Sequence, residues 1–219
     1  MIEAVIFDND GLLVDSEPVW DQVRAAMAHE RGIDWNTDDH KAVMGVSTQE
    51  WADYMIQRLK LDIPEEAVVQ AVIKRMEASY RQQIPFLPGA LTAVELAAQH
   101  RPTAIASGSH PALLDIITGD ERLQPYLQLV VSADEVARGK PHPDVYLEAA
   151  TRLGVAPESC LVLEDSGNGI LAGKAAGMIV IAVPDERFPP SVEKLNQADY
   201  ILEDLEQFPA LFQTLRDAS

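Results

Sequence analysis

Five short apolar runs punctuate the chain, at residues 4–7, 103–106, 129–131, 160–163 and 179–183. Each is rich in Val, Ile, Leu or Ala and lacks polar alternation, as parallel strands covered on both faces do. Between them lie segments of helical pattern. Residues 90–99 follow Pro88-Gly89, residues 143–153 end at Gly154, and residues 168–176 end at Gly177, the last two glycines standing where a helix stops. Strands alternating with helices predict an α/β fold built on a doubly wound parallel sheet. Residues 200–202 suggest an edge strand, and residues 205–215 a terminal helix.

One stretch breaks the alternation. From residue 16 to residue 83 no strand pattern occurs, while Trp20, Val23 and Met27, then Trp51, Tyr54 and Met55, then Val69, Val72, Ile73 and Met76 recur at helical spacing. This predicts an inserted all-helical domain at residues 16–83, carried by a core of residues 1–15 and 84–219. Its Trp and Met residues read first as helix-packing core.

Composition adds limits. The 219 residues are 47% hydrophobic and 24% charged, ordinary for a globular chain of one core with a modest insert. The single cysteine, Cys160, lies in an apolar run; it excludes an internal disulfide and reads as packing. Residues 1–5 lack the basic start and long apolar core of a signal peptide, and no run approaches the ~18 apolar residues of a membrane span. A cytoplasmic protein is expected, with a monomer as the default. Thirty-five acidic against 17 basic residues give a formal charge of −18, which disfavours nucleic acid and anionic membranes as partners. The same field repels a phosphate ester, so a site for one needs its own source of positive charge.

Candidate chemistry gathers after the strands. Asp8-Asn9-Asp10-Gly11 follows the first, and ligands of open α/β sheets bind beyond the strands' carboxyl ends. Ser107-Gly108-Ser109 follows the second, offering a hydroxyl and open amides suited to phosphate oxygens. Glu164 and Asp165 follow the fourth, ahead of Ser166-Gly167-Asn168-Gly169. In Gly139-Lys140-Pro141-His142-Pro143-Asp144 the prolines stiffen the chain beside a lysine just before a helix. Each has an ordinary explanation as a solvated turn or a cap. Four together, at the correct ends of the correct elements, do not.

In order, these segments resemble the four motifs of the haloacid dehalogenase-like (HAD) superfamily, over nearly the whole chain. The insert and Leu12-Leu13-Val14-Asp15-Ser16-Glu17 resemble the small helical cap of its sugar phosphatase and β-phosphoglucomutase branch. The resemblance implies a Rossmann-like core and a Mg2+-dependent phosphatase acting on a small phosphate monoester, a sugar or polyol phosphate, through a phospho-aspartate. It implies Asp8 as nucleophile and Asp10 as general acid and base. It places Ser107, Gly108 and Lys140 on the phosphoryl oxygens. The metal set is Asp8, Asp10 through its backbone carbonyl, Asp165, and Glu164 as ligand or neighbour. Trp20 and Met44 are the cap candidates for substrate contact. Two alternatives stay open. One is a phosphosugar mutase; mutases resembling this chain carry a histidine where Trp20 stands, and cationic cap residues near Met44 and Thr48. The other is a non-catalytic, phosphate-responsive binding protein.

Overall fold

The computed structural model describes residues 1–43 and 48–217. Among them six parallel strands form one sheet: β1 (Ala4–Phe7), β2 (Thr103–Ser107), β3 (Leu129–Ser132), β4 (Cys160–Glu164), β5 (Ile179–Ala182) and β6 (Tyr200–Ile201), in the order β3-β2-β1-β4-β5-β6. The order reverses between β1 and β4, which creates a switch point where a crevice opens beyond the strand ends. Phe7 pairs with Ile105 on one side and Leu163 on the other. One step further along the three strands stand Asp8, Ala106 and Glu164, side by side.

The chain divides into two compact units, Met1–Asp15 with Pro85–Ser219, and Ser16–Ile84. The second unit contains α1 (Glu17–His29), α2 (Thr37–Val43), α3 (Thr48–Leu59) and α4 (Glu65–Gln82). Helices α5 (Ala90–Ala98), α6 (Pro111–Thr118), α7 (Asp144–Leu153), α8 (Gly167–Ala175), α9 (Val192–Leu195) and α10 (Phe208–Asp217) belong to the first. Helix α6 carries Leu113, Leu114 and Ile117 on its buried face, a period the sequence reading did not single out. No helix of the described residues is long and apolar enough to cross a membrane.

Both sheet faces are covered, which explains why the strands read as continuous apolar runs. Ala4, Ile6, Ala104, Ala106, Val162, Val180 and Ala182 pack with Val145, Tyr146 and Ala149 of α7 and with Ile170 and Ala172 of α8. On the opposite face Phe7 meets Phe208 edge-on at 6.0 Å, and Phe208 stacks on Phe212 at 5.0 Å. Small residues dominate the α7 and α8 side, so those helices lie close to the sheet. Cys160 is buried there, and burial pushes its thiol up to about 11, so it serves as packing.

In the helical unit, Val23, Met27, Trp51, Met55, Val72, Ile73 and Met76 are buried, as the periodicity predicts; Val68 takes an inner place while Val69 is half-buried. Two polar groups join this interior. The Arg24 guanidinium lies 4.9 Å from the Trp20 ring and 5.4 Å from the Trp51 ring. Asp39 is 3% exposed and saturated. Its Oδ1 accepts from Tyr54 Oη (2.7 Å) and Arg58 Nε (2.6 Å), and its Oδ2 from Arg58 (3.0 Å) and the Asn36 N–H (3.0 Å). The paired Arg58 fork binds the ionised form, and Tyr54 and Asn36 add to it against the opposing effect of burial, so the carboxyl falls from 3.8 to about 2.

A folded-state value below the unfolded one stabilises the protein above the unfolded value, and the gain is lost as pH falls through the folded one. Asp39→Asn is therefore expected to lower stability by a constant amount at neutral pH. The gap should shrink between about pH 4 and pH 2. Denaturant melts of both proteins across pH measure it; a gap that persists unchanged at pH 2 would show that charge is not its source.

Candidate active site

Three strand ends and one loop build a single cluster. Asp8 follows β1, Ser107 ends β2, Glu164 ends β4, and Lys140 arrives from the loop before α7. Lys140 Nζ donates to Asp8 Oδ1 at 2.5 Å, to Glu164 Oε1 at 2.5 Å, and to the Ala106 carbonyl at 3.3 Å. The ammonium has three protons, and all three are engaged. It also stands 4.9 Å from the Tyr146 ring. A phosphoryl oxygen approaching Lys140 therefore competes for a proton, most easily the one on the long bond to Ala106.

Glu164 is fully buried and its acceptor sites are filled. Oε1 accepts from Lys140 and from Tyr146 Oη (2.7 Å), while Oε2 accepts from the Ser166 N–H and Oγ, both at 3.0 Å. Ser166 also caps α8, accepting from the Gly169 N–H at 3.0 Å. Glu164 lies directly on Gly169, where an added Cβ would meet its Oε1 at 1.7 Å. Gly11 plays the same part for Asp165: its φ is +79°, and a Cβ there would meet Asp165 Oδ2 at 2.2 Å. A bare backbone is needed at both positions.

Burial sets the electrostatics. It raises Asp8 to about 7, with Glu164 and Asp10 adding to the rise and Lys140 opposing it. Asp165 is pushed well above the ordinary range by burial and by the charges of Glu164 and Asp8. Burial alone would raise Glu164 too, but Lys140, Tyr146 and Ser166 outweigh it and hold that carboxyl low. Burial opposes charge on Lys140 as well, yet Asp8 and Glu164 raise it well above 10.5. One ammonium thus faces three carboxylates, and two of these are driven toward neutrality for want of positive charge.

That shortage suits a metal ion. Asp8, Glu164 and Asp165 each offer an oxygen within 4.8 Å of the others, and the buried Asp165 Oδ1 has no hydrogen-bond partner among the described residues. Asp8 and Asp165 are the better pair. An ion bound to Glu164 itself would have to displace donors that already fill that carboxylate.

Asp10 is held separately. Its Oδ2 accepts from Asn9 Nδ2 (3.2 Å), Ser107 Oγ (3.3 Å) and, at very short range, Ser109 Oγ. Gly108, next to these serines, is exposed, and a Cβ there would meet open space. The structure thus gathers Asp8, Asp10, Ser107, Gly108, Lys140, Glu164 and Asp165 in the core unit. Trp20 lies in the helical unit, half-buried against Trp51, with ring centroids 6.1 Å apart. Met44 falls outside the described residues. Asn9, Ser109, Ser166 and Gly169 stood in the segments that the sequence singled out but were given no role of their own. Tyr146 was given none either; its signal was a phenol on an apolar helix face whose hydroxyl must find a partner.

The haloacid dehalogenase-like hydrolase sequence model matches residues 2–177, which include every one of these core residues. The chain belongs to the haloacid dehalogenase-like hydrolases. Among its relatives in that family, hexitol phosphatase B of Escherichia coli K12 is 35% identical over 207 residues, covering 93% of this chain and 90% of that one. A phosphorylated carbohydrates phosphatase of Thermotoga maritima is 32% identical, covering 92% and 91%. A Thermotoga maritima crystal structure ascribed to a β-phosphoglucomutase superposes with a TM-score of 0.82 at 27% identity, covering 97% and 99%.

The hydrolase core makes one local demand that can be tested in isolation. Gly169→Ala should dislodge Glu164 and with it the seat of Lys140, costing at least the ~1–3 kcal/mol of an overpacked interior. Thermal melts should show the loss, whereas Gly154→Ala, strained only by its φ of +70° with open space around it, should cost less. Equal losses would mean that Glu164 is not pinned against Gly169.

Proposed function

We propose that this hydrolase cleaves a small phosphate monoester, a sugar or polyol phosphate, through a phosphoryl group carried on Asp8. The observation that carries the proposal is the buried cluster in which Lys140 holds the Asp8 carboxylate at the switch point of the sheet. Relatives that act on hexitol phosphates and phosphorylated carbohydrates support the substrate class. Carboxyl, hydroxyl and ammonium groups suit that chemistry, because phosphoryl transfer relies mainly on positioning and electrostatics.

Asp8 supplies the attacking oxygen, aimed by its bond to Lys140. Ser107, the amides around Gly108, and Lys140 hold the phosphoryl oxygens. Asp10 gives a proton to the leaving alcohol and later takes one from water. Glu164 acts through Lys140, and Tyr146 and Ser166 keep it in place. The donor set, carboxylate oxygens with the Asp10 backbone carbonyl, fits magnesium. Asp8, Asp10 and Asp165 would hold the ion, which would supply the positive charge that three buried carboxylates and an incoming phosphate require.

Asp8→Asn is expected to abolish release of orthophosphate from hexitol phosphates without loss of thermal stability, since it removes one charge from a crowded acidic cluster. Millimolar magnesium should raise the melting temperature of the unsubstituted protein, and chelator should reverse both the shift and the activity; binding at 100 times Kd is worth about 2.7 kcal/mol. Asp165→Asn should remove the shift. Activity within tenfold of normal in Asp8→Asn, or melting indifferent to magnesium, would overturn the reading.

A further inference from the structure

The mechanism leaves one group of contacts unused. Three donors converge on a single oxygen of Asp10. Asn9 Nδ2, Ser107 Oγ and Ser109 Oγ all point at Oδ2, whereas Oδ1 accepts no hydrogen bond among the described residues. Two of these donors have no other task. The loop around Ser109 is held without its hydroxyl, because its N–H donates to Ser107 Oγ (3.0 Å) and its carbonyl accepts from Ser132 Oγ (2.9 Å). The Asn9 backbone is likewise held by the Leu13 and Val14 N–H groups, at 2.9 and 3.0 Å, on its carbonyl. Asn9 is fully buried, and its other amide atom, Oδ1, has no partner among the described residues. A buried acceptor left without a donor is costly, so a plain apolar side chain would pack here at less expense. Turning the amide over would set two oxygens against each other, so the donor end faces Asp10. Ser107 differs from these two, since its proton is wanted by the phosphoryl group.

We propose that Ser109 and Asn9 are positioning residues that lock the Asp10 carboxylate by Oδ2 and present Oδ1 as its working oxygen. This rests on the acid–base reading of Asp10 given above. In the first half-reaction an Asp8 oxygen bonds to phosphorus as the phosphorus–alkoxide bond breaks, and the proton on Asp10 Oδ1 moves to the alkoxide. In the second, water bonds to phosphorus, the bond from phosphorus to Asp8 breaks, and the proton of the water returns to Oδ1. Oδ2 takes no part in either transfer; it is the anchor. A carboxylate free to rotate would offer the proton from two oxygens in many orientations, and a misplaced proton donor loses much of the ~10²–10⁴-fold that general acid–base catalysis supplies.

The test separates leaving groups. p-Nitrophenolate departs without a proton, and the alcohol of sorbitol 6-phosphate does not. Rapid-quench measurement of the first half-reaction with each substrate gives the ratio of the two rates. Ser109→Ala is expected to shift that ratio about 10-fold against sorbitol 6-phosphate, and Asn9→Leu about 3-fold in the same direction, with the KM values little moved. Asp10→Asn is the reference, expected to shift it further than either. If Ser109→Ala and Asn9→Leu slow both substrates equally while Asp10→Asn shifts the ratio, the two residues are structural only and the inference is wrong. If Asp10→Asn itself leaves the ratio unmoved, it is the acid–base reading that fails.

Discussion

A lysine buried between two carboxylates governs this structure. Lys140 is linked to Asp8 across 132 residues of chain and to Glu164 across 24, and it stands over the Tyr146 ring. Alone, an ammonium in that place would be untenable; unpaired buried charge costs several kcal/mol. Asp8 and Glu164 face the same difficulty. Each is stabilised by the others, and so the ends of β1 and β4 and the loop before α7 are bound to one geometry. Two acids still exceed one base, and Asp165 makes the excess larger. That imbalance leaves the site short of positive charge, which a further cation would supply before a phosphate could be held in a chain of charge −18.

The fold supplies the rest by simple means. A parallel sheet whose order reverses between β1 and β4 sets the residues that follow those strands beside one another. Small side chains on the α7 and α8 face bring Tyr146 within 2.7 Å of Glu164. Glycines 11 and 169 let Asp165 and Glu164 lie against bare backbone. The acids are thereby fixed in depth as well as in direction. Asp10 stands outside this knot, on donors of its own, which leaves it free to serve a different step.

Much of this was legible in the chain. The strands announced themselves because both sheet faces are covered, and the observed ends of β1 to β5 differ from the expected ones by a single residue at most. The α/β class follows from that alternation. Acids, hydroxyl and lysine were visible as well, because each follows a strand or precedes a helix in a local pattern. Their partners were not visible. Ser109 reaches Asp10 across 99 residues, and nothing in the local sequence says which hydroxyl faces which carboxylate. The need for Gly169 is a matter of distance to Glu164, which only packing reveals. Glu164 was expected as a metal ligand or its neighbour; the four hydrogen bonds that tie it to Lys140, Tyr146 and Ser166 had no local signal. Arg24 among the tryptophans of the helical unit was equally hidden, since a charged residue on an apolar helix face looks like a break in the period.

The central claim, that the carboxylate held by Lys140 carries the phosphoryl group, meets its most direct test in the phosphoenzyme. Protein quenched in acid during turnover of a sugar phosphate, reduced with borohydride and digested, should yield a peptide in which position 8 has become homoserine. The same treatment without substrate should leave Asp8 unchanged. Reduction at another carboxylate, or at none while orthophosphate is still being released at full rate, would contradict the account.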